Sequence, residues 1–120
     1  MNDKLDRLEL VRSAWDAYHP DYMGFHLQAN PDFHKDFAEG AVILNPMVTE
    51  IVGDVGGQKL LDICCACDAT QVFSWANLGA DVTAYDISPV VIEIARENAE
   101  LIGLSVTFEV TDAQTLDPIA

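Results

Sequence analysis

Three aspartates in the second half of the chain each stand at an apolar segment with the pattern of a strand. Asp62 lies within the first segment, Asp86 closes the second, and Asp112 follows the third. Ligands of open parallel sheets bind beyond the carboxyl ends of the strands, so the loops at residues 64–68, 86–88 and 112–114 are predicted to meet at one edge. Asp86 follows the first loop by about twenty residues, the spacing at which a carboxylate accepts hydrogen bonds from ribose hydroxyls. The pattern therefore predicts a site for an adenosine-containing cofactor.

The loop after the first strand contains no glycine. It reads Cys-Cys-Ala-Cys-Asp over residues 64–68. Glycine is the usual residue where the backbone must approach a cofactor closely, because it has no Cβ. Cysteine and alanine are the smallest substitutes, so we expect Cys64 and Ala66 to narrow the site without closing it. Asp68 is expected to cap the free amides of the next helix, and to repel an anionic ligand group while it attracts cationic ones.

The chain has three cysteines, all in this loop: Cys64, Cys65 and Cys67. A zinc site would need a fourth ligand from His19, His26 or His34, and the C-C-x-C spacing is not that of paired zinc ligands, so we expect no metal. A redox sensor is a second interpretation, because a helix N-terminus lowers the pKa of a thiol. The favoured interpretation is that small buried side chains fill the loop. Cysteines this close together do not form a secreted disulfide framework, which indicates a reducing compartment.

The residues before this loop have a helical pattern. Apolar side chains recur at three-and-four spacing over residues 4–18, which predicts an amphipathic helix that ends at His19 and Pro20. Residues 21–40 are expected to form short helical turns, broken by the Asn-Pro pair at residues 30 and 31. We expect residues 1–44 to form a helical lid. Trp15, Tyr18 and Tyr22 are candidates to lean over the cofactor, although aromatic residues at this spacing more often belong to a core.

From residue 45 onward, predicted strands and helices alternate. Asn45 and Pro46 begin a helix that runs to about residue 52, and Ser88 and Pro89 begin another that ends near Gly103. A third helix is expected over residues 69–78, and strands over residues 59–63, 81–85 and 105–111. The β-α-β-α-β order predicts a parallel sheet with right-handed crossovers and helices on both faces, which is a Rossmann-like α/β fold.

Three segments of the chain resemble motifs of the class I methyltransferases that depend on S-adenosyl-L-methionine (SAM). Residues 60–68 are similar to the first motif of that family, residues 84–89 to the second, and residues 111–116 to the third. Residues 92–99 also resemble the helix between the second and third strands. The resemblance covers roughly residues 46–117, and the three motifs together make it specific.

The resemblance implies that SAM is the cofactor and that seven residues line it: Asp62, Cys64, Ala66, Asp86, Ile87, Asp112 and Ala113. In this interpretation Asp62 orients the methionine ammonium, and the backbone of the two loop residues lines the methionine and ribose. Asp86 holds the ribose hydroxyls and Ile87 packs on the adenine. Asp112 and Ala113 recognise the adenine edge. No catalytic residue is assigned.

Two of these carboxylates also have purely structural interpretations. Asp62 could be a buried acid that caps local backbone, because buried polar groups are generally hydrogen-bonded. Asp86 could form the turn ahead of Ser88 and Pro89, because aspartate favours turns. Both alternatives stay open at the level of sequence.

The resemblance implies a sheet of seven strands, of which this chain has three. We therefore expect residues 45–120 to be a SAM-binding domain truncated after strand three, the cofactor half of a methyltransferase that acts on a small molecule. The alternative function is a non-catalytic Rossmann-like module for binding or dimerisation, with a degenerate glycine loop. An exposed edge of strand one is expected to favour a homodimer. A nicotinamide oxidoreductase is disfavoured because the GxGxxG pattern is missing.

The net charge of the chain excludes some classes of partner from our expectation. The 120 residues contain 6 Lys and Arg against 20 Asp and Glu, for a formal net charge of −14. This charge repels nucleic-acid phosphate and anionic membranes, so we expect neither as a partner. No apolar run reaches the length of about 20 residues that a membrane span needs, and the N-terminus is charged. The sequence therefore predicts a cytoplasmic protein.

Overall fold

A computed structural model describes residues 3–115 of the chain, and the side chains from residue 6 onward. The C-terminal part of the predicted third motif, from Leu116, and the last residues of the predicted domain 45–120 lie outside the described residues. The described elements, in chain order, are α1 (Asp3–Ala29), α2 (Phe33–Ala38), α3 (Pro46–Val52), β1 (Lys59–Ile63), α4 (Thr70–Asn77), β2 (Asp81–Asp86), α5 (Pro89–Ile102), β3 (Thr107–Val110) and a 3₁₀ turn at Ala113–Thr115.

The three strands form one parallel sheet in the order β1-β2-β3, as predicted. Lys59 of β1 pairs with Asp81 of β2, and Thr83 of β2 pairs with Thr107 of β3. Since consecutive parallel strands lie side by side, α4 and α5 are the crossover helices that connect them. The register brings the carboxyl ends of all three strands to the same edge, where the predicted site residues lie.

Buried aromatic and aliphatic side chains hold the helices against this sheet. Phe37 of α2, Phe73 of α4 and Ile92 of α5 are all almost fully buried. Phe73 has its ring centroid 5.8 Å from that of Phe37 and 6.4 Å from that of Phe108 in β3. Edge-on and tilted aromatic pairs at such distances stabilise a core beyond their buried area. The same core therefore joins the N-terminal helices to the sheet.

The first helix is longer than predicted. The expectation that it ends at His19 and Pro20 was wrong, because α1 continues through Pro20 to Ala29. A proline inside a helix removes one hydrogen bond and crowds the preceding turn, which is unfavourable in isolation. Contacts beyond the proline oppose this cost: Met23 is buried in the core, and Tyr22 and His26 both contact the loop after β1.

The other boundaries agree with the sequence to within about two residues, which is the usual disagreement at element ends. α3 begins at Pro46, and the side chain of Asn45 accepts a hydrogen bond from the Met47 amide, as expected of an N-cap. β1 has its predicted bounds. β2 extends one residue further, to Asp86, and β3 is shorter than predicted, at Thr107–Val110. Among the described residues, no helix is long and apolar enough to cross a membrane.

Ser88 has two roles in this fold. Its hydroxyl accepts a hydrogen bond from the Val91 amide, which caps α5, and it donates a short hydrogen bond to Asp16 of α1. We predict that Ser88→Ala lowers the free energy of unfolding by about 2 kcal/mol, because it removes both bonds at a buried position. Asp16→Ala should lower it by about 1 kcal/mol, because it leaves the cap intact. Urea denaturation of both variants measures the difference. An equal or smaller loss for Ser88→Ala would contradict the dual role.

Candidate functional site

The loop after β1 takes a backbone conformation that its residues disfavour. Cys64, Ala66 and Ala69 have φ angles of 62°, 59° and 46°, all in the left-handed region. Left-handed residues with a Cβ are uncommon, because the side chain crowds the backbone. Cys64 and Ala66, which stand where glycine is usual in such loops, thus have the backbone that glycine would favour. Ala69, one residue after Asp68, is the third left-handed residue.

The neighbouring strand β2 holds the loop through the backbone and through Asp86. The Cys65 amide donates to the Tyr85 carbonyl over 3.0 Å. The Asp86 Oδ2 atom accepts a hydrogen bond from the Ala66 amide at 3.3 Å, and its Oδ1 atom accepts one from the Ser88 amide at 3.1 Å. Asp86 therefore has the predicted turn role, and it also joins the loops after β1 and β2.

Helices α1 and α5 contact the loop from the other side. The Nδ1 atom of His19 is 3.1 Å from the Sγ atom of Cys67, and both side chains are buried. The Asn98 side chain of α5 donates to the Cys67 carbonyl at 3.0 Å. Tyr22 donates its hydroxyl to the Asp68 Oδ2 atom at 3.3 Å. The loop is thus enclosed between β2, α1 and α5.

The prediction that Asp68 caps the following helix is wrong. The N-cap of α4 is Ala69, and no side chain caps the helix there. Instead the Asp68 Oδ2 atom faces α1, where it contacts Tyr22 and lies 3.5 Å from the Nε2 atom of His26. The left-handed Ala69 turns the chain between Asp68 and the helix, which explains why the carboxylate does not reach the helix amides.

Two cavities are lined by residues of this loop. The first, which we call the Asp86 cavity, has a volume of about 460 Å³. α1 covers it with Trp15 and His19 among other residues. The full lining is Leu8, Val11, Trp15, His19, Cys64, Ala66, Asp86, Ile87, Thr111, Asp112, Ala113 and Gln114. Six of the seven predicted site residues line this one cavity.

The second cavity, the Asp62 cavity, has a volume of about 450 Å³. It contains Asp62, the seventh predicted residue, and it shares Cys64 and Ala66 with the first cavity. Its lining is Ile43, Asp62, Ile63, Cys64, Cys65, Ala66, Asp68, Thr70 and Gln71. Since the same two loop residues line both cavities, an extended ligand that follows the loop would occupy the two together.

The Asp62 carboxylate is in an environment that disfavours its charge. Burial, with a further contribution from Asp86, raises the pKa of Asp62 above its usual range. None of the described residues donates a hydrogen bond to it, so it does not cap local backbone in this structure. A carboxylate without an internal partner at the wall of a cavity has the character of a ligand-binding group.

The loop thiols are in a similar environment. Burial, followed by the carboxylates of Asp86 and Asp62, raises the pKa of Cys64 and of Cys65. Burial, followed by Asp68, raises the pKa of Cys67 to about 12. The redox-sensor interpretation required a lowered thiol pKa, and the structure gives the opposite direction. Cys65 and Cys67 are buried and fill the loop, as the favoured interpretation expected, whereas that interpretation was wrong for Cys64, which is exposed. The part of the chain described here contains no group of three or more metal-ligating side chains.

The sequence did not single out His19 as a site residue. Burial lowers the pKa of its imidazole, and the nearby Asp86 and Asp68 partly oppose that effect. His19 stands four residues after Trp15, so both lie on the same face of α1, and both line the Asp86 cavity. That helical spacing was a signal in the sequence. It was missed because the helix was predicted to end at His19.

The comparison with protein families identifies this architecture. The family model described as "Methyltransferase domain" matches residues 61–120, which is half of the chain. The chain therefore belongs to the methyltransferase domain family. The Rossmann-like fold, the class I methyltransferase family and its cofactor SAM, all predicted from the motifs, are confirmed.

One curated relative is a ubiquinone biosynthesis O-methyltransferase of Xanthomonas euvesicatoria pv. vesicatoria (strain 85-10). It is 33% identical over 76 residues, which cover 61% of this chain and 31% of the relative. The chain thus spans about a third of the length of the curated relative that it matches.

Two solved structures are also similar over part of the chain. The first, from work on the conversion of a disulfide bond into a thioacetal group during echinomycin biosynthesis, is 37% identical with a TM-score of 0.49, over 56% of this chain and 28% of that one. The second is the Pyrococcus abyssi tRNA (uracil-54, C5)-methyltransferase in complex with S-adenosyl-L-homocysteine. It is 27% identical with a TM-score of 0.48, over 58% of this chain and 18% of that one.

The left-handed loop generates a stability prediction. Cys64→Gly and Ala66→Gly should each leave the protein as stable as the wild type or more stable, by up to about 1 kcal/mol. The relief of left-handed strain, about 1–3 kcal/mol, exceeds the added freedom of glycine in the unfolded chain. Ala76→Gly in α4 is the control, and it should destabilise by about 1 kcal/mol. Urea denaturation measures all three. If the two loop variants lose as much free energy of unfolding as the control variant does, the loop is not strained.

Proposed function

We propose that this chain binds SAM across the two cavities and contributes the cofactor site of a methyltransferase that acts on a small molecule. The observation that carries the proposal is the convergence of the predicted residues: six line the Asp86 cavity, and Asp62 lies in the cavity that continues from it past Cys64 and Ala66. The adenosine would lie in the Asp86 cavity and the amino-acid tail in the Asp62 cavity.

The proposed adenosine contacts use atoms that the fold leaves available. Each carboxylate oxygen of Asp86 accepts one hydrogen bond from a backbone amide. A carboxylate oxygen can accept a second hydrogen bond, so Asp86 can also accept hydrogen bonds from the ribose hydroxyls. The Oδ1 atom of Asp112 accepts from the Gln114 amide at 3.0 Å, which orients the carboxylate at the cavity wall. Ile87 and Ala113 would pack against the adenine ring.

The proposed tail contact explains the environment of Asp62. Without a ligand, the carboxylate is partly buried and receives no hydrogen bond from the described residues. A ligand ammonium placed against it would favour its ionised form and would offset the cost of burial. Asp62 would thus orient the tail of SAM by a charge-assisted hydrogen bond.

SAM, when bound, supplies a methyl group on a positively charged sulfur for transfer to a nucleophile. The contribution of this chain would be to hold the reacting group in a fixed position, an effect that can provide much of the rate enhancement. The region around residues 1–44 would act as the lid, with Trp15 of α1 over the Asp86 cavity, and residues 45–120 would form the cofactor domain. The methyl acceptor is proposed to be a small molecule, because the net charge of −14 disfavours nucleic acid.

The proposal predicts that Asp62 strengthens ligand binding and lowers the stability of the ligand-free fold. Asp62→Asn should weaken the binding of S-adenosylhomocysteine by at least about tenfold, because a charge-assisted hydrogen bond to the ligand ammonium is lost. The same variant should be more stable than the wild type at neutral pH. The raised pKa means that the stabilising proton on Asp62 is present in acid and is lost as the pH rises through the folded pKa.

Isothermal titration calorimetry and thermal unfolding between about pH 4 and pH 8 measure both effects. The stability gain of the variant should grow as the pH rises. Asp81→Asn is the control for the change in net charge, because Asp81 lies at the end of β2 opposite to Asp86 and the cavities. The absence of binding heat in folded wild-type protein would overturn the cofactor site, and undiminished affinity in Asp62→Asn would overturn the role of Asp62.

A non-catalytic binding module is the second candidate function. The observation that favours it is the left-handed loop itself, in which Cys64 and Ala66 place Cβ atoms along both cavities where a glycine would leave room. The two functions differ in one result. The module would bind S-adenosylhomocysteine, yet would transfer no radiolabelled methyl group from SAM to any acceptor in a panel of small phenols, amines and thiols.

We further propose that the outer edge of β1 pairs with a second copy of the chain. Within residues 3–115 this edge has no strand partner, and unpaired edges are templates for pairing. Two β1 strands related by a twofold axis would form one continuous sheet. Eight large apolar side chains in β1 and in the segment that precedes it are exposed and would be covered: Val42, Ile43, Met47, Val48, Ile51, Val52, Leu61 and Ile63.

The dimer proposal makes a salt-dependent prediction. Because each copy carries a net charge of −14, the dimer should be weaker at about 0.05 M salt than at about 0.5 M. Light scattering coupled to size-exclusion chromatography measures the mass. Ile51→Lys, at a side chain that is 77% exposed, should shift the protein toward monomer without loss of thermal stability. A monomeric wild type at both salt concentrations would contradict the proposal.

A further inference from the structure

The Asp62 cavity is acidic and contains no basic lining residue among those described. Its charged lining residues are Asp62 and Asp68, and its neutral polar ones are Thr70 and Gln71. The amino-acid tail of SAM carries one ammonium and one carboxylate. This cavity therefore offers partners for the ammonium and no side-chain cation for the carboxylate.

Asp68 is held in a fixed position beside this cavity. Its Oδ2 atom accepts hydrogen bonds from the hydroxyls of Tyr22 and Thr70, both at 3.3 Å. The Oδ1 atom has no partner within residues 3–115, and it is not among the atoms sealed from solvent there. One oxygen is thus anchored to the protein and the other remains an acceptor for a ligand.

The groups near Asp68 that can carry positive charge do not cancel the negative charge at the cavity wall. His26 has its Nε2 atom 3.5 Å from the Asp68 Oδ2 atom, on the α1 side, and it does not line the cavity. The N-terminus of α4 adds about half of one positive charge, spread over backbone amides. Two carboxylates at the wall outweigh it, so the potential in this cavity favours cations.

We propose that Asp68 determines which adenosyl ligand the site prefers: it disfavours the tail carboxylate of SAM and favours a tail that carries an amine alone. The preferred ligand class is an adenosyl sulfonium with an aminopropyl tail. This inference rests on the proposed function, because it assigns a tail subsite to the same cofactor site. SAM remains a ligand in this account, bound less tightly than its decarboxylated form.

Calorimetric titration of the full chain with each of three ligands tests this inference. SAM and decarboxylated SAM differ only in the carboxylate, and 5′-methylthioadenosine lacks the charged tail. We expect decarboxylated SAM to bind the wild type about tenfold more tightly than SAM, and 5′-methylthioadenosine to bind with measurable heat. Asp68→Asn should reduce the preference to about threefold or less, because the neutral amide keeps a hydrogen-bonding side chain without the charge.

Asp81→Asn is the matched control, because it makes the same change of charge at the far end of β2. It should keep the preference of the wild type, which excludes a general effect of the acidic chain on a doubly cationic ligand. A thermal unfolding curve establishes that Asp68→Asn is folded. If that variant does not fold, the comparison of SAM with decarboxylated SAM on the wild type still decides whether the cavity discriminates against the carboxylate.

The outcomes separate this inference from the proposed function. If 5′-methylthioadenosine binds while SAM binds as tightly as decarboxylated SAM or more tightly, the inference is overturned and the cofactor site stands. A preference that is unchanged in Asp68→Asn overturns the role of Asp68. If none of the three ligands binds to folded protein, the proposed function itself fails.

Discussion

The fold of the cofactor region depends on keeping the loop after β1 in a left-handed conformation. Cys64, Ala66 and Ala69 each carry a Cβ where glycine would be favoured, at a cost of about 1–2 kcal/mol per residue. Such a loop persists only where its surroundings hold it. Here Asp86 accepts a hydrogen bond from the Ala66 amide, and the side chain of Asn98 in α5 donates one to the Cys67 carbonyl. The contacts that shape the proposed binding surface are thus the contacts that oppose the strain.

This constraint also explains the length of α1. The helix continues past Pro20 because its second half contacts the loop through Tyr22 and His26, while His19 packs against Cys67. The same helix places Trp15 over the Asp86 cavity. One element therefore stabilises the strained loop and covers the proposed adenosine site. A substitution on the inner face of α1 should consequently affect both stability and ligand binding.

The alternating strands and helices could be predicted from the sequence because their signals are local. The N-cap residues Asn45 and Ser88, each followed by a proline, mark the starts of α3 and α5, and the pattern of apolar residues marks β1. The positions of Asp86 and Asp112 at one cavity follow from the parallel topology, which brings strand ends together. The family resemblance then identified the ligand for residues that the fold places side by side.

The remaining features depend on contacts between segments far apart in the chain. The continuation of α1 through Pro20 and the direction of Asp68 toward Tyr22 are set by tertiary contacts over more than forty residues, and no local pattern encodes them. The left-handed conformation of Ala69 has the same origin, because the backbone angles of a loop depend on the contacts that hold it. His19 was missed as a site residue because α1 was predicted to end there, although its spacing from Trp15 is a local signal.

The central claim is that the loop over residues 64–69, held between Asp86 and α1, is the surface that binds the cofactor. The most direct test is an amide NMR titration of the folded chain with S-adenosylhomocysteine. The account predicts that the largest shifts occur at Ala66, Asp86 and Ala113, and that α3, none of whose residues line either cavity, changes little. Saturating ligand that leaves these three amides unshifted, or that shifts only residues remote from both cavities, would contradict the account.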